Sequence, residues 1–224
     1  GPVLKYHQLP GTLFVPTGFP GQRQRMFWWE RLYQAIVEAS VDRCSTRFGR
    51  HALQTTRQKL DTFRQLRGEI KTLAHSEAMD VVDQVCSDLN HRPTASNVLS
   101  WDALRELAAD GVTLGCHTRT HPLLDKISPQ EVRDEVVAAQ EDLKREIGEP
   151  LPIFAYPAGH YDDQAVQVLA DLGMELAFTT HGGVNDVRHR NEALTLNRIH
   201  VGPSVTRSIL RLQLLGLRAP NWLR

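Results

Sequence analysis

Residues 112–122 read VTLGCHTRTHP, and this stretch indicates both the fold and a candidate site. Its first five residues alternate as in a β-strand, and Asp110-Gly111 ends the helix expected at 101–109, whose N-cap is Ser100. Downstream, Ser128-Pro129-Gln130-Glu131 is a capping box that opens the next helix. Helix, strand and helix in this order are typical of a parallel sheet.

The same alternation extends to both sides of this stretch. Strands are predicted at 12–16, 112–116, 153–157, 174–180 and 194–201, and helices at 26–39, 101–109, 129–147 and 164–172. This order predicts an α/β fold with parallel strands, either a barrel or an open sheet. In both architectures the functional residues follow the carboxyl ends of the strands. We expect one domain over residues 1–224.

Residues 41–93 interrupt the alternation. Apolar residues recur there at helical spacing, which predicts two amphipathic helices and therefore a helical insertion. Residues 41–75 carry eight Lys or Arg against three Asp or Glu, a net charge of +5. We interpret this excess as a solvated helix face, with contact to an acidic partner as the alternative.

The composition narrows the possible function classes. The chain has 224 residues, 41% of them hydrophobic, and its 26 basic and 26 acidic side chains cancel. Without a net field we expect no nucleic-acid partner. No apolar run is long enough for a membrane span, and the N-terminus has no export-signal pattern. Binding must therefore come from a local site.

His117 and His121 lie four residues apart at the predicted end of a strand. In one turn of helix this spacing places both rings on one face, where neutral imidazoles can share a divalent metal at about 2.0–2.1 Å. The pair is therefore a candidate metal clamp. A coincidental pair remains the alternative.

A second candidate is FAYPAG at 154–159. Pro157 stiffens the exit of the predicted strand, and the small Ala158 and Gly159 allow a ligand to approach the backbone. A plain turn explains these residues equally well. The Asp162-Asp163 pair that follows is interpreted as the cap of the next helix.

The closing strand holds the last candidate residue. His200 could serve as a general acid, because its pKa lies near neutrality. Arg198 is expected to share a strand face with His200, so a surface pair of the two is the alternative.

The order of these blocks resembles the polysaccharide deacetylase (NodB-homology, carbohydrate esterase family 4) family, in the branch associated with exopolysaccharide gene clusters. The matching blocks are TLFVPT at 12–17, SW at 100–101, LGCHTRTHP at 114–122, FAYPAG at 154–159 and LNRIH at 196–200. The resemblance implies a distorted (β/α)7 barrel. It also implies metal-dependent removal of N-acetyl groups from amino-sugar polysaccharides, in the cell envelope or outside the cell.

The resemblance also implies roles for particular residues. The family holds a divalent metal, usually zinc, with one Asp and two His, and His117 and His121 match the two histidines. A late histidine of the family protonates the departing amine, and His200 resembles it best. The Ala158 amide matches a donor to the oxyanion, within a substrate-binding segment of Tyr156, Pro157, Ala158 and Gly159.

Two departures from the family pattern affect these expectations. The family's Asp-Asp motif, which supplies a metal ligand and the base, normally precedes the helix in which this sequence begins. We therefore expect a barrel incomplete at its N-terminus, weak or absent hydrolysis, and an open seam that a second copy of the chain could close. In addition, Ala155 stands where the family often has an Arg that orients the base.

Three hypotheses follow from the sequence. The first is a metal-dependent N-deacetylase of which this chain is a piece. The second is a catalytically silent carbohydrate-binding or assembly module with the same fold. The third is a plain α/β domain whose histidine pair is accidental, and the order of the motifs makes this the least favoured.

Overall fold

A computed structural model describes residues 2–92, 98–185 and 192–217. The strands are β1 (Gly11–Val15), β2 (Arg43–Thr46), β3 (Gly49–Ala52), β4 (Val112–Cys116), β5 (Ile153–Ala155), β6 (Leu176–Gly182) and β7 (Leu196–Arg198). The helices are α1 (Pro2–Tyr6), α2 (Trp28–Val37), α3 (Thr56–Ile70), α4 (His75–Asp88), α5 (Trp101–Ala109), α6 (Pro129–Ile147), α7 (Asp163–Asp171) and α8 (Arg207–Leu214).

The main sheet has five parallel strands in the order β1-β4-β5-β6-β7. Cys116 on β4 pairs with Val15 on one side and with Phe154 on the other, so three strand ends lie side by side. This confirms the predicted α/β fold with parallel strands. Within the described residues β1 and β7 are the two edges, and the barrel is not closed. Closure of the seam by a second copy remains a prediction.

Helices α5, α6 and α7 pack with the sheet to form the larger hydrophobic core. Along α6 the residues Val132, Val136, Ala139 and Leu143 recur every three or four positions, and all are buried. The Ser128 hydroxyl accepts from the Glu131 amide while the Glu131 carboxylate accepts from the Ser128 amide, which confirms the predicted capping box. The start and the buried face of α6 are therefore fixed by local sequence.

The segment 41–93 is only partly helical, which corrects the predicted insertion. Helices α3 and α4 are present, but the hairpin of β2 and β3 precedes them. Each of these four-residue strands buries a single side chain, Cys44 in β2 and His51 in β3, so no apolar alternation marks them in the sequence. The segment packs with α2 into a second hydrophobic core.

One further helix lies outside the predicted elements. Helix α8 was not predicted; the Thr206 hydroxyl caps it by accepting from the Ile209 amide, and Ile209 is its buried residue.

Across residues 2–92, 98–185 and 192–217, no helix combines the length and the hydropathy that crossing a bilayer requires.

Candidate active site

The loop after β4 brings the two predicted histidines together. The ring centroids of His117 and His121 are 4.8 Å apart, with the ring planes at 84°. This confirms that the two imidazoles are neighbours. The loop is not the helical turn that the spacing suggested, because Thr118 and His121 have φ angles of 62° and 63°. Two left-handed residues, rather than a helix, make the rings approach each other.

A backbone carbonyl fixes the proton of His117. Its Nδ1 lies 2.6 Å from the carbonyl oxygen of Ala155, the last residue of β5. Because a carbonyl only accepts, Nδ1 carries the proton and Nε2 keeps a free lone pair. Burial, and to a smaller extent the charge of Arg198, lowers the pKa of His117 to about 4 against the opposing effect of the hydrogen bond to Ala155. His117 is therefore a neutral ring at neutral pH, as a metal ligand must be.

His121 is buried beside it and has an unpartnered nitrogen. Its side chain is buried, and its Nδ1 has no hydrogen-bond partner within the described part of the chain. Burial, and then the neighbouring His117, lower the pKa of His121 to about 3. A buried polar atom without a partner is costly unless a ligand satisfies it. The neutral His121 ring therefore has the properties of a second metal ligand beside His117.

The two imidazoles supply part of a metal site. Across residues 2–92, 98–185 and 192–217, no group of three or more His, Cys, Asp or Glu side chains is placed to hold a metal. Protein zinc sites use three or four such ligands. The chemistry of the pair therefore fits two of the ligands, and the described residues do not add a third.

An aromatic stack covers one side of His121. Phe19 stacks on Phe27 at 4.1 Å, Phe27 on Trp29 at 4.5 Å, and the Trp29 ring lies 4.9 Å from His121. Both tryptophans of α2 lie at the second hydrophobic core: Trp28 is buried within it, and the half-buried Trp29 packs against it. Neighbouring helix residues point about 100° apart, so Trp29 also reaches the side of the helix that faces His121.

The predicted FAYPAG segment contains the end of β5, Phe154 and Ala155, and the loop that follows it. The Tyr156 hydroxyl donates to the Leu194 carbonyl at 2.8 Å, and its buried ring stacks on Tyr161 at 4.6 Å. Pro157 is buried as well, whereas Ala158 is exposed with a φ of 51°. The Tyr156 side chain therefore anchors the loop, and Ala158 is its residue most open to a ligand. A substrate-binding role for Tyr156, Pro157, Ala158 and Gly159 remains a prediction.

Gly159 is required by both the conformation and the packing of this loop. An added Cβ would lie 2.0 Å from Thr180 Oγ1, and the φ of Gly159 is +76°. We expect Gly159→Ala to lower the free energy of unfolding by about 3 kcal/mol, from the left-handed backbone and the overlap together. Urea denaturation measures the change.

The control for Gly159→Ala is Gly173→Ala. Gly173 has nearly the same φ, +75°, but a Cβ there would meet nothing within 4 Å. Gly173→Ala should lower the free energy of unfolding by about 1–2 kcal/mol, which is the cost of the left-handed backbone alone. Equal losses in the two variants would show that contact with Thr180 contributes nothing.

Arg198 of the closing strand acts on His117, whereas His200 takes no part in the contacts described above. His200 is exposed and lies two positions after the end of β7. Arg198 Nε donates to the Thr179 carbonyl at 2.6 Å, and its charge acts on His117. The general-acid role of His200 remains a prediction. The Asp162 carboxylate accepts from the Ala165 amide, which confirms it as the cap of α7.

One pair near the site had no counterpart in the sequence analysis. His160 Nδ1 lies 3.3 Å from Asp125 Oδ2, which joins the end of the FAYPAG loop to the turn after His121. The two residues are far apart in sequence, and neither belongs to a recognisable motif. Only the fold shows that they meet.

The fold and the paired histidines define a class of α/β proteins whose candidate site lies at the carboxyl ends of parallel strands. The family model of polysaccharide deacetylases matches residues 1–177, and the chain belongs to this family. This confirms the family that the motif order resembled.

Three known proteins illustrate the similarity. YxkH of Bacillus subtilis (strain 168), assigned by name to the polysaccharide deacetylases, is 23% identical over 111 residues, which are 49% of this chain and 39% of that protein. The structure of IcaB from Ammonifex degensii has a TM-score of 0.53 and 18% identity, covering 90% of this chain and 60% of IcaB. The deacetylase PplD of Streptococcus pyogenes, solved with acetate, has a TM-score of 0.48 and 23% identity, covering 60% of this chain and 63% of PplD.

Of these three similarities, the likeness to IcaB supports the α/β fold. The chain spans less than two thirds of the length of each of these three proteins.

Proposed function

We propose that this chain belongs to a metal-dependent hydrolase that removes N-acetyl groups from an amino-sugar polysaccharide. The observation that supports this most directly is the pair of neutral imidazoles, the half-buried His117 and the buried His121, whose ring centroids are 4.8 Å apart at the strand ends. Membership of the polysaccharide deacetylase family supports hydrolysis of an amide C–N bond. The exopolysaccharide branch, and with it a place in the cell envelope or outside the cell, is part of the proposal.

His117 and His121 would hold the metal, which we propose to be zinc. When bound, such an ion polarises the acetamide carbonyl and lowers the pKa of a water molecule towards neutrality. The Ala155 carbonyl keeps the proton of His117 on Nδ1, so that Nε2 stays available. The Trp29 ring excludes water from one side of His121. These residues thus keep the ligands neutral and oriented.

Other residues would act on the substrate. The exposed Ala158 would donate its amide to the developing oxyanion, in a loop shaped by Pro157 and Gly159 and anchored by Tyr156. His200 would protonate the departing amine.

The proposed partner is acetylated amino-sugar polysaccharide, and a second copy of the chain is a further candidate partner at the open edge of the sheet.

A catalytically silent carbohydrate-binding module is the second candidate function. It is favoured by one observation: within the described residues only two ligands meet at the site. Such a module would use the same strand ends and the aromatic stack of Phe19, Phe27 and Trp29 to bind a sugar without hydrolysis.

Acetate release distinguishes the two functions. The full chain, loaded with Zn²⁺, is incubated with oligomers of N-acetylglucosamine, and free acetate is measured against His117→Ala. Slow release that the variant abolishes supports the hydrolase. No release, together with stoichiometric oligomer binding that persists in EDTA, supports the silent module.

A further inference from the structure

The loop between the two histidines has a strained backbone. Thr118 and His121 both adopt φ angles near +60°, although neither is glycine. Each such residue costs about 1–3 kcal/mol and persists only where the surroundings hold it. Two strained residues within four positions therefore require a strong external restraint.

Glu135 of α6 supplies that restraint. Its Oε2 accepts from the Arg119 amide at 2.8 Å and from the Thr120 amide at 2.7 Å. Its Oε1 accepts from the Thr120 hydroxyl at 2.5 Å. One carboxylate thus accepts three hydrogen bonds from Arg119 and Thr120, two of the three residues between the histidines. Hydrogen bonds to an ionised acceptor are roughly twice as strong as neutral ones.

The helix that carries Glu135 is itself fixed against the same loop. Asp142, two turns further along α6, lies 3.2 Å from Arg119 Nε and accepts from the Thr17 hydroxyl at 2.9 Å. Its carboxylate is buried. The Thr17 amide in turn donates to the Thr118 carbonyl at 3.2 Å. The position of Glu135 is therefore set by a helix that contacts the loop at two points.

We propose that Glu135 is a positioning residue for the histidine pair. It touches neither ring, but it holds the turn that carries both. Without it Thr118 and His121 can relax to ordinary backbone angles, which moves the rings out of the geometry that a shared ion needs. The inference rests on the proposed function only in assigning a metal to the pair; the restraint of the loop stands on its own contacts.

Glu131 provides a matched control one turn earlier on the same helix. Its carboxylate accepts two hydrogen bonds from Ser128, at 2.7 Å each, and caps α6 without touching the loop. Glu131→Gln and Glu135→Gln make the same chemical change on one helix. A merely structural role of Glu135 would give the two variants the same effects.

The test combines Zn²⁺ affinity with hydrogen exchange in the full chain. We expect Glu135→Ala to speed exchange of the Arg119 and Thr120 amides at least about 10-fold and to weaken Zn²⁺ binding about 10- to 100-fold, as loss of outer-shell partners does. Glu135→Gln, which keeps one acceptor oxygen, should lie between Glu135→Ala and the parent chain. Glu131→Gln should change neither quantity.

The two measurements separate this inference from the proposed function. If the parent chain binds no Zn²⁺ but Glu135→Ala still speeds exchange of both amides, the metal assignment fails and the restraint stands. If exchange and Zn²⁺ affinity in Glu135→Ala match those of Glu131→Gln, Glu135 does not position the pair.

Discussion

Replacing His117 with alanine is expected to lower the Zn²⁺ affinity of the chain by at least about 100-fold, more than the loss of an outer-shell partner costs. The reason is geometric. The Ala155 carbonyl holds the Nδ1 proton, so Nε2 of His117 is the nitrogen that can reach an ion shared with His121. Removing the ring leaves one imidazole, and a single ligand cannot retain a divalent ion against water. Competition with a chromophoric chelator at pH 7.5 measures the affinity.

The control for this variant is His51→Ala. His51 is also a buried imidazole, but it lies in β3, with Nε2 3.0 Å from the Thr46 hydroxyl. The Zn²⁺ affinity of His51→Ala therefore shows how much binding is lost when a buried histidine outside the site is deleted. His121→Ala should behave like His117→Ala, since both rings are needed. Zn²⁺ affinities of the His117 and His51 variants that agree within error would contradict the shared site.

The sequence determines the elements around the site because their signals are local. The N-cap Ser128 with Glu131 fixes where α6 begins, and the alternation of 112–116 fixes β4. A paired-histidine motif at a predicted strand end then places the site at the correct edge of the sheet. Each of these signals spans only a few residues.

The other parts of the site depend on contacts that are distant in sequence. Glu135 lies 15 residues from Thr120, and its neighbours on α6 give no sign that it faces a loop. Trp29 sits in an amphipathic pattern that packs its neighbour Trp28 into a core. The hairpin of β2 and β3 is held by the second core rather than by alternation of its own. Tertiary packing decides all three.

These long-range contacts explain how an open sheet can still carry an ordered pair of histidines. β4 is an inner strand, paired with β1 and with β5, so the loop that follows it is supported on both sides. Its Thr118 and Arg119 carbonyls accept from the Thr17 and Gly18 amides after β1, and His117 donates to Ala155 at the end of β5. The edges of the sheet can remain unpaired without loosening this loop.

The lowered pKa values of His117 and His121 should also make the metal-free chain sensitive to acid. In the folded chain the pKa values are about 4 for His117 and about 3 for His121, against an ordinary value of 6.5 for histidine. Between pH 6.5 and these lower pKa values, the two histidines are largely protonated in the unfolded chain and neutral in the folded chain. Their contribution to the free energy of unfolding is therefore fully present above pH 6.5, and it is lost as the pH falls from 6.5 towards 4 and 3. Each histidine contributes a slope of up to about 1.4 kcal/mol per pH unit.

Unfolding by urea in EDTA, measured from pH 7.5 down to 4.5, checks this dependence. The double variant His117→Asn/His121→Asn cannot take up these protons, so its stability should fall less steeply than that of the parent chain. The other titrating groups are common to both proteins and cancel in the difference. Parallel curves would mean that the two imidazoles are as solvated in the folded chain as in the unfolded one, and the pair would then lack the dry surroundings that keep it neutral for a metal.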